Sequence, residues 1–329
     1  MSDVPPLQYK EQREYALLED VLRARRFDLP SVLALIASSL AIALAMYHIF
    51  VAGFGTPESL SFRSTHLSAM LLLAFLIYPM FRGSLSEPVW QTGQPGNAKR
   101  AIGFAIDIAM IALVLAVQIY LLADIEELQA REGSPDEDDI VFGWILVGVV
   151  IEATRRAVGW AMVIITGFFV FQTLKADWFV GMFYGPPVAV DTFIDAQFIQ
   201  TIGIFGIPLL VASTYIVLFI IFGAILIRSG AGRFFIDLAV SLTGHRLGGP
   251  AKASVVASAF LGTVSGSATA NVVTTGSFTI PMMKNLGYRP RFAAAVEACA
   301  SSGGQITPPI MGAAAFIIAE FMRVPYIHV

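Results

Sequence analysis

Two short stretches of small, polar and helix-breaking residues could bind an ion within an apolar part of the chain. The first is Ser265–Asn271 (SGSATAN), followed by Thr274, and the second is Gly303–Pro309 (GGQITPP). Hydroxyl, amide and carbonyl oxygens are hard ligands, which suit a cation such as Na+. Because glycine and proline interrupt helices, both stretches also place helix ends among these oxygens.

Helix ends carry partial charges, so they add to what the side chains can bind. Carbonyls around Ser265–Gly266 and Gly303–Gly304 are predicted to attract a cation, and amides around Thr269–Asn271 and Ile310 an anion. The predicted site residues are Ser265, Gly266, Ser267, Asn271, Thr274, Gly303, Gly304, Thr307 and Pro308, with Na+ predicted at Ser265, Gly266, Gly303, Gly304 and Thr307. The alternative is that these small and hydroxyl residues only allow close helix packing.

The composition places these stretches in an integral membrane protein. Of 329 residues, 56% are hydrophobic and 14% charged, whereas a soluble domain carries about a quarter charged residues. A single cysteine, Cys299, excludes a disulfide scaffold, and we interpret it as a packing residue. Segment 124–139 holds eight acidic residues and one arginine, which leaves a net charge of only +4 on the rest of the chain, and neither part indicates a basic nucleic-acid surface.

Apolar length and basic residues predict the topology. Long spans are predicted at Val32–Ala52, Ala101–Ala123 and Pro208–Ile227, with shorter ones at His66–Phe81 and Ala157–Leu174. Basic residues before the first span put the N-terminus in the cytoplasm, and three alternating spans then put the acidic segment 124–139 in the periplasm. Segment 140–174 could pass once or twice. Two passes, turning at Arg155–Arg156, keep seven later basic residues cytoplasmic: Arg228, Arg233, Arg246, Lys252, Lys284, Arg289 and Arg291.

The two polar stretches interrupt segments that are not predicted to be simple membrane-spanning helices. Lys252 and Lys284 bracket two apolar arms, which predicts a re-entrant helical hairpin over 250–286 with its polar tip inside the bilayer. A discontinuous helix is predicted over 291–323, with Pro308 and Pro309 starting its second half. The fold class is therefore an all-α membrane protein with about seven crossings, one hairpin and one broken helix.

These motifs resemble a known transporter family. Ser265–Pro281, Gly287–Pro290 and Ser302–Pro309 are similar to the large permease subunit of tripartite ATP-independent periplasmic (TRAP) transporters. The run through Gly312–Phe316 and Ala319–Glu320 most resembles the TAXI type, in which the small and large membrane subunits are fused. By this resemblance, residues 1–139 are small-subunit-like and 140–329 form the first half of the large subunit.

The resemblance implies a Na+-coupled, elevator-type importer of organic acids (carboxylates) in the bacterial inner membrane. A periplasmic binding protein would deliver the substrate, and the hairpin tip and the 303–309 break would form one Na+ site and one wall of the substrate site. No catalytic residue and no cofactor are implied. The family has two inverted repeats, and this sequence shows one hairpin and one broken helix. We therefore expect the second half on the same polypeptide or on a separate chain.

The sequence leaves two other classes of function as alternatives. It also leaves more than one role for two acidic residues in the apolar segments. A non-transporting membrane scaffold or docking subunit fits a chain with half a transport site. An intramembrane hydrolase is disfavoured, because no His-Glu-Xaa-Xaa-His or P-loop motif is present and the four histidines lie near span ends. Coupling to protons instead of Na+ stays open. Asp107 is predicted to bond Gln118 or a neighbouring span. Glu297 could reach the cytoplasmic face, pair with a basic residue or serve an ion path.

Overall fold

The protein is built from α-helices. A computed structural model describes residues 29–81, 97–308 and 311–329, and no β-strand occurs within those ranges. Among the helices in these ranges, four are long and apolar enough to cross a membrane: Val32–Phe54, Ser59–Ile77, Ala101–Ala123 and Ile207–Leu226. The predicted class, an all-α integral membrane protein, is confirmed, whereas the number of crossings stays a prediction. The N-terminal basic residues lie outside the described ranges.

The described residues divide into two compact units, those up to position 47 with those of 54–206, and those of 48–53 with those from 207 onward. The helices described up to Gly206 are α1 (Leu29–Phe54), α2 (Ser59–Ile77), α3 (Asn97–Ala123), α4 (Ile125–Ala130), α5 (Glu137–Ala157), α6 (Trp160–Leu174) and α7 (Val190–Ile194). In this first unit α2, α3 and α5 pack against one another. The predicted boundary at 139/140 stays a prediction.

The start of α5 is fixed by hydrogen bonds to a buried carboxylate. Asp139 is fully buried, and its Oδ2 accepts the backbone N–H of Asp136 at 2.9 Å in a capping box. Its Oδ1 accepts the phenol of Tyr120 at 2.6 Å, and Arg131 donates to both carboxylate oxygens. The acidic segment 124–139 is therefore tied to α3 as well as to α5.

The break in segment 140–174 lies slightly beyond the predicted turn. Helix α5 continues through Arg155 and Arg156 to Ala157, and the chain breaks at Gly159, whose φ of 106° is a conformation open to glycine. Both arginines donate to Glu152, at 2.7 Å each, and form ion pairs with it. Ion pairing within the last turn lets α5 extend past the two charges before the glycine ends it.

Asp107 takes its partner from a neighbouring helix. Arg156 Nη1 donates to its Oδ1 at 2.5 Å, and the backbone N–H of Met80 donates to the same oxygen at 3.0 Å. Gln118, the other predicted partner, instead donates to Thr65 and accepts from Ser68. Of the two predicted alternatives, the structure supports the contact between helices.

The second unit contains the predicted hairpin and broken helix. Its helices are α8 (Ile207–Val211), a π-turn (Ala212–Ile216), α9 (Val217–Arg228), α10 (Ala231–Thr243), α11 (Gly249–Ser265), α12 (Ala268–Asn285), α13 (Pro290–Gly303), a 3-10 turn (Gly304–Ile306) and α14 (Ala313–Met322). Helices α11, α12 and α13 pack against one another, and α10 packs on α11. Small buried residues such as Ala253, Ala257 and Ala293 allow this close packing.

Helices α11 and α12 form a helical hairpin with a two-residue connection. Gly266 has a φ of 58°, a left-handed conformation that glycine adopts without a steric cost. Ser267 follows as the N-cap of α12, where its Oγ accepts the N–H of Ala270 at 3.3 Å. The tip thus falls inside the predicted SGSATAN stretch, and entry of the hairpin from the cytoplasmic side stays a prediction.

The discontinuous helix is present, but its second half starts later than predicted. Helix α13 ends at Gly303, and α14 begins at Ala313 with Gly312 as its N-cap, so the predicted start at Pro308–Pro309 is wrong. The reason is a loop that folds back on itself, in which the Gly312 N–H donates to the Gln305 carbonyl at 2.6 Å. Met311 is left-handed, with a φ of 57°. Pro309 and Ile310 lie outside the described residues.

Candidate functional site at the hairpin tip and the helix break

The hairpin tip lies directly against the loop that joins α13 to α14. A Cβ atom built on Gly266 would collide with the carbonyl oxygen of Met311, and it would be 3.6 Å from Gly312 Cα. A Cβ atom built on Gly312 would be 3.5 Å from the Gly266 carbonyl oxygen. Two separately predicted irregular stretches therefore meet, and glycine lets their backbones approach closely.

A second glycine pair lies deeper along the same contact. Gly262 on α11 and Gly304 on the 3-10 turn face each other, and a Cβ atom on Gly304 would be 3.0 Å from Gly262 Cα. The same atom would lie 2.7 Å from the side-chain nitrogen of Asn271. There is no room for a side chain here, so the end of α11 packs backbone to backbone on the end of α13.

The contact brings helix ends of both kinds together. Helices α11 and α13 end at Ser265 and Gly303, and α12 and α14 begin at Ala268 and Ala313. The last carbonyls and the first amides of a helix have no partner within that helix. Carbonyl ends favour a cation and amide ends favour an anion.

Several predicted site residues lie at this contact. Ser267 is exposed at the tip and caps α12. Thr307 is half-buried in the break, and its hydroxyl donates to the Gly303 carbonyl at 3.0 Å. Pro308 follows it and is exposed, while the backbone of Ser265 ends α11. Gly266, Gly303 and Gly304 belong to the same two stretches, and the Na+ ligand roles predicted for these residues stay predictions.

Asn271 and Thr274 lie away from the tip surface. Asn271 is fully buried between the hairpin arms, and its side-chain nitrogen donates to the Ser258 carbonyl at 2.8 Å. Thr274 donates to the Ala270 carbonyl at 2.9 Å, and its methyl group faces Gly232 of α10. Asn271 therefore ties the two arms together, and Thr274 packs toward α10. The ligand roles predicted for both residues stay predictions.

A buried acidic residue outside the predicted site set occupies the centre of the helix packing. Glu297 on α13 is 0% exposed and is surrounded by hydroxyl groups from three helices. We call it and its five partners the Glu297 cluster. The partners are Ser254 and Ser258 on α11, Thr275 and Thr279 on α12, and Ser301 on α13.

All five hydroxyls are placed to donate to the carboxyl group. Ser254 donates to Oε2 at 2.6 Å, and Ser258 and Ser301 donate to Oε1 at 3.1 and 3.0 Å. Thr275 contacts Oε1, and Thr279 contacts Oε2. No basic residue is among the partners of Glu297 in the described part of the chain. Reach to the cytoplasmic face and pairing with a basic residue, two of its three predicted roles, are therefore wrong.

The sequence does contain a signal for this cluster. Each of the three helices carries two polar residues four positions apart: Ser254 and Ser258, Thr275 and Thr279, Glu297 and Ser301. Positions four apart lie on the same face of a helix. Three such pairs on apolar helices predict polar stripes that hydrogen-bond to one another when the helices pack. That sequence pattern could have located the cluster before the structure.

An open apolar groove borders the break. It has a volume of about 600 Å³ and runs along α11 and α13 from Phe292 to Gly303 and Thr307. Cys299 lies in its wall and is exposed, so its predicted packing role is not seen. Across the described residues, no three His, Cys, Asp or Glu side chains form a metal-binding group. A cation at the break would therefore depend on neutral oxygens.

Comparison with known proteins identifies the family. A family model described as the tripartite ATP-independent periplasmic transporter, DctM component, matches residues 145–329, which is more than half of the chain. The chain belongs to this family. The match includes the hairpin, the helix break and the Glu297 cluster, so these features lie in the DctM-type part. The fused TAXI-type arrangement of residues 1–139 stays a prediction.

Individual relatives match over a shorter stretch. The C4-dicarboxylate TRAP transporter large permease protein DctM of Rhodobacter capsulatus is 37% identical over 91 residues, 28% of this chain and 21% of that protein. The 2,3-diketo-L-gulonate TRAP transporter large permease protein YiaN of Escherichia coli is 34% identical over 100 residues, 30% of this chain and 23% of that protein.

A third relative is the isethionate TRAP transporter permease protein DctMQ of Oleidesulfovibrio alaskensis, 37% identical over 91 residues, 28% of this chain and 14% of that protein. The matches thus span less than a quarter of each relative's length. No solved structure matches the chain.

Proposed function

We propose that this chain is the membrane permease component of a binding-protein-dependent, ATP-independent secondary transporter that imports organic acids with Na+ coupling. The observation that carries the proposal is the contact between the hairpin tip and the helix break. Broken helices that present their ends inside the bilayer are the arrangement in which transporters bind ions and substrates. Family membership over residues 145–329 supports the same function.

Na+ would bind at the carbonyl ends of α11 and α13. Carbonyl oxygens near Ser265, Gly266, Gly303 and Gly304 supply partial negative charge, and the hydroxyl oxygen of Thr307 adds a side-chain ligand. No acidic side chain is required, because several neutral oxygens suffice for a monovalent ion. The close approach of the hairpin tip to the loop after α13 supports this proposal.

Charge and the names of the relatives support the proposed substrate class. Amides at the starts of α12 and α14 favour an anion. The relatives' names mention C4-dicarboxylate, 2,3-diketo-L-gulonate and isethionate, which are all small organic anions. The partners would be a periplasmic substrate-binding protein, the remaining half of the large permease and the inner-membrane lipid. The N-terminus would face the cytoplasm.

Transport can be tested with the complete transporter in proteoliposomes. Uptake of radiolabelled small organic acids should require the cognate binding protein and an inward Na+ gradient, and it should proceed without ATP. A membrane complex that binds the binding protein yet moves no organic acid under any ion gradient would support the docking-subunit alternative and contradict the proposal.

One side chain tests the Na+ site within that assay. Thr307→Val removes a hydroxyl and keeps the branched shape, so the KM for Na+ should rise about fivefold, the equivalent of about 1 kcal/mol for one polar contact. Thr307→Ser keeps the hydroxyl and is the matched control. An unchanged Na+ dependence in Thr307→Val would show that this hydroxyl is not a Na+ ligand.

A further inference from the structure

Glu297 differs from every other charged residue on the helices that surround it. It is fully buried among α11, α12 and α13, whereas Lys252, Lys284 and Arg291 on the same helices are exposed. The groups that face Glu297 from these helices are hydroxyls, and no titratable or charged side chain is among its partners in the described residues. A charge in such a place is costly unless donors compensate it.

The ionised carboxylate has such donors. A carboxylate accepts through about four lone-pair positions, and five hydroxyls lie within hydrogen-bonding distance of its two oxygens. Hydrogen bonds to an ionised group are stronger than those between neutral groups. The cluster can therefore hold Glu297 as an anion without a neighbouring cation.

The neutral carboxyl group can be satisfied with the same heavy-atom positions. Thr279 has a second acceptor in reach, the Thr275 carbonyl at 3.0 Å, and Thr275 has the Asn271 carbonyl at 2.8 Å. When Glu297 gains a proton, its new O–H can donate to Thr279 Oγ1, and the hydroxyl proton of Thr279 turns to the Thr275 carbonyl. A threonine hydroxyl both donates and accepts, so no group is left unpaired.

We propose that the Glu297 cluster is a proton-binding site, which gains and releases one proton by rotating threonine hydroxyls while its helices stay in place. The step is a simple addition: one proton from a solvent hydronium ion joins a Glu297 oxygen, a water molecule is left behind, and the site's charge changes from −1 to 0. No bond between heavy atoms forms or breaks.

The cluster suits a proton better than a metal ion. All five hydroxyl oxygens lie within hydrogen-bonding distance of the carboxylate oxygens, and the six side chains are each no more than 1% exposed. A metal ion would need these hydroxyls to turn their lone pairs inward and would need space between them. A proton needs neither.

The position of the cluster links proton binding to the candidate transport site. Ser258 donates to Glu297 through its hydroxyl and accepts from Asn271 through its carbonyl. Asn271 in turn lies against Gly304 of the helix break. A contribution of this proton to transport rests on the proposed function, whereas proton binding itself does not.

Infrared spectroscopy of the complete transporter in lipid nanodiscs tests the site without a transport assay. The spectrum should contain a protonated-carboxyl C=O band that disappears as the pH is raised and is missing in Glu297→Gln. Glu320→Gln, which removes an acidic residue of the same unit outside the cluster, should retain the band. A Glu297 that stays ionised, or stays protonated, over the whole pH range of protein stability would overturn the proposal.

A second pair of variants keeps the test valid if Glu297→Gln does not fold. Ser254→Ala removes one donor that stabilises the anion, so the band should persist to a pH about one unit higher. Ser277→Ala on α12 removes an exposed hydroxyl whose bond goes to the Thr274 carbonyl, and it should leave the band unchanged. Equal effects of the two variants would contradict the proposed role of the hydroxyls.

Discussion

Individual charges in this protein are held by specific hydrogen-bond partners. Asp139, at the start of α5, is one such charge outside the apolar spans. Burial alone would raise the pKa of its carboxyl group, but hydrogen bonds from Arg131, Tyr120 and the Asp136 amide outweigh burial and lower the pKa below its ordinary value of 3.8. The ionised form therefore stabilises the folded protein.

This lowered pKa predicts how stability depends on pH. A group whose pKa is lower in the folded state stabilises the protein above its unfolded pKa, and the stabilisation is lost as the pH falls through the folded pKa. Asp139→Asn should cost about 2 kcal/mol at neutral pH, and its deficit should shrink as the pH falls below about 4. Thermal unfolding across that range measures this, with exposed Asp138→Asn as the control. Equal deficits at both ends of the range would contradict the assignment.

At the residue scale, local sequence predicted the tip and the break but not the roles of all their members. Gly266, Ser267 and Thr307 lie where the helix-breaking residues placed them. Asn271 does not, because a buried amide must be paired and the nearest acceptor is the Ser258 carbonyl on the opposite arm. The Glu297 cluster was missed because its members are up to 47 positions apart in the sequence and meet only when three helices pack.

Among the structural elements, the close contact between the hairpin and the break depends on glycine. Gly303 and Gly304 are neighbours in the sequence but differ in their surroundings. A Cβ atom on Gly304 would lie 2.7 Å from Asn271, whereas a Cβ atom on Gly303 would meet nothing within 4 Å. This pair offers a matched test of whether the contact matters.

Gly304→Ala should separate α11 from the break, and Gly303→Ala should be tolerated. Overpacking in a tight contact costs about 1–3 kcal/mol, so we expect a lower thermal midpoint and a loss of Na+-dependent protection from proteolysis only in Gly304→Ala. If both variants behave alike, the contact is not the determinant of stability that the structure indicates.

The elements themselves were largely predictable, and their ends less so. The hairpin follows from two apolar arms around Gly266, and the break follows from two glycines and two prolines. The start of α14 at Ala313 was not predictable, because it depends on the Gly312-to-Gln305 hydrogen bond and on left-handed Met311. Those features form only when the loop has folded against the tip.

For the whole molecule, the side of the membrane on which the hairpin opens is a prediction that cysteine labelling can test. Lys252 and Lys284 lie near the open ends of the hairpin arms and are exposed. If the hairpin is re-entrant, both residues face the cytoplasm. We expect cysteines at these positions, in a Cys299→Ser background, to react with a membrane-impermeant maleimide in inside-out vesicles and to stay unlabelled in intact spheroplasts.

A cysteine in the acidic segment is the control for that experiment. Ser134 is exposed and is predicted to be periplasmic, so Ser134→Cys should show the opposite labelling pattern. Labelling of Lys252→Cys and Lys284→Cys from opposite sides would replace the re-entrant hairpin by a single crossing. It would also invert the predicted orientation of every helix after α12.

The ion pair between Arg156 and Asp107 sets an order for the biosynthesis of this protein. The two residues are 49 positions apart, and a ribosome adds about 5–20 residues per second. Asp107 therefore leaves the ribosome roughly 2–10 seconds before the arginine that pairs with it. During that interval, the carboxyl group has to rely on its other partners, among them the backbone N–H of Met80, which precedes it in the chain. Slowed elongation between the two codons would extend this exposure, and the nascent chain would become a better substrate for membrane proteases.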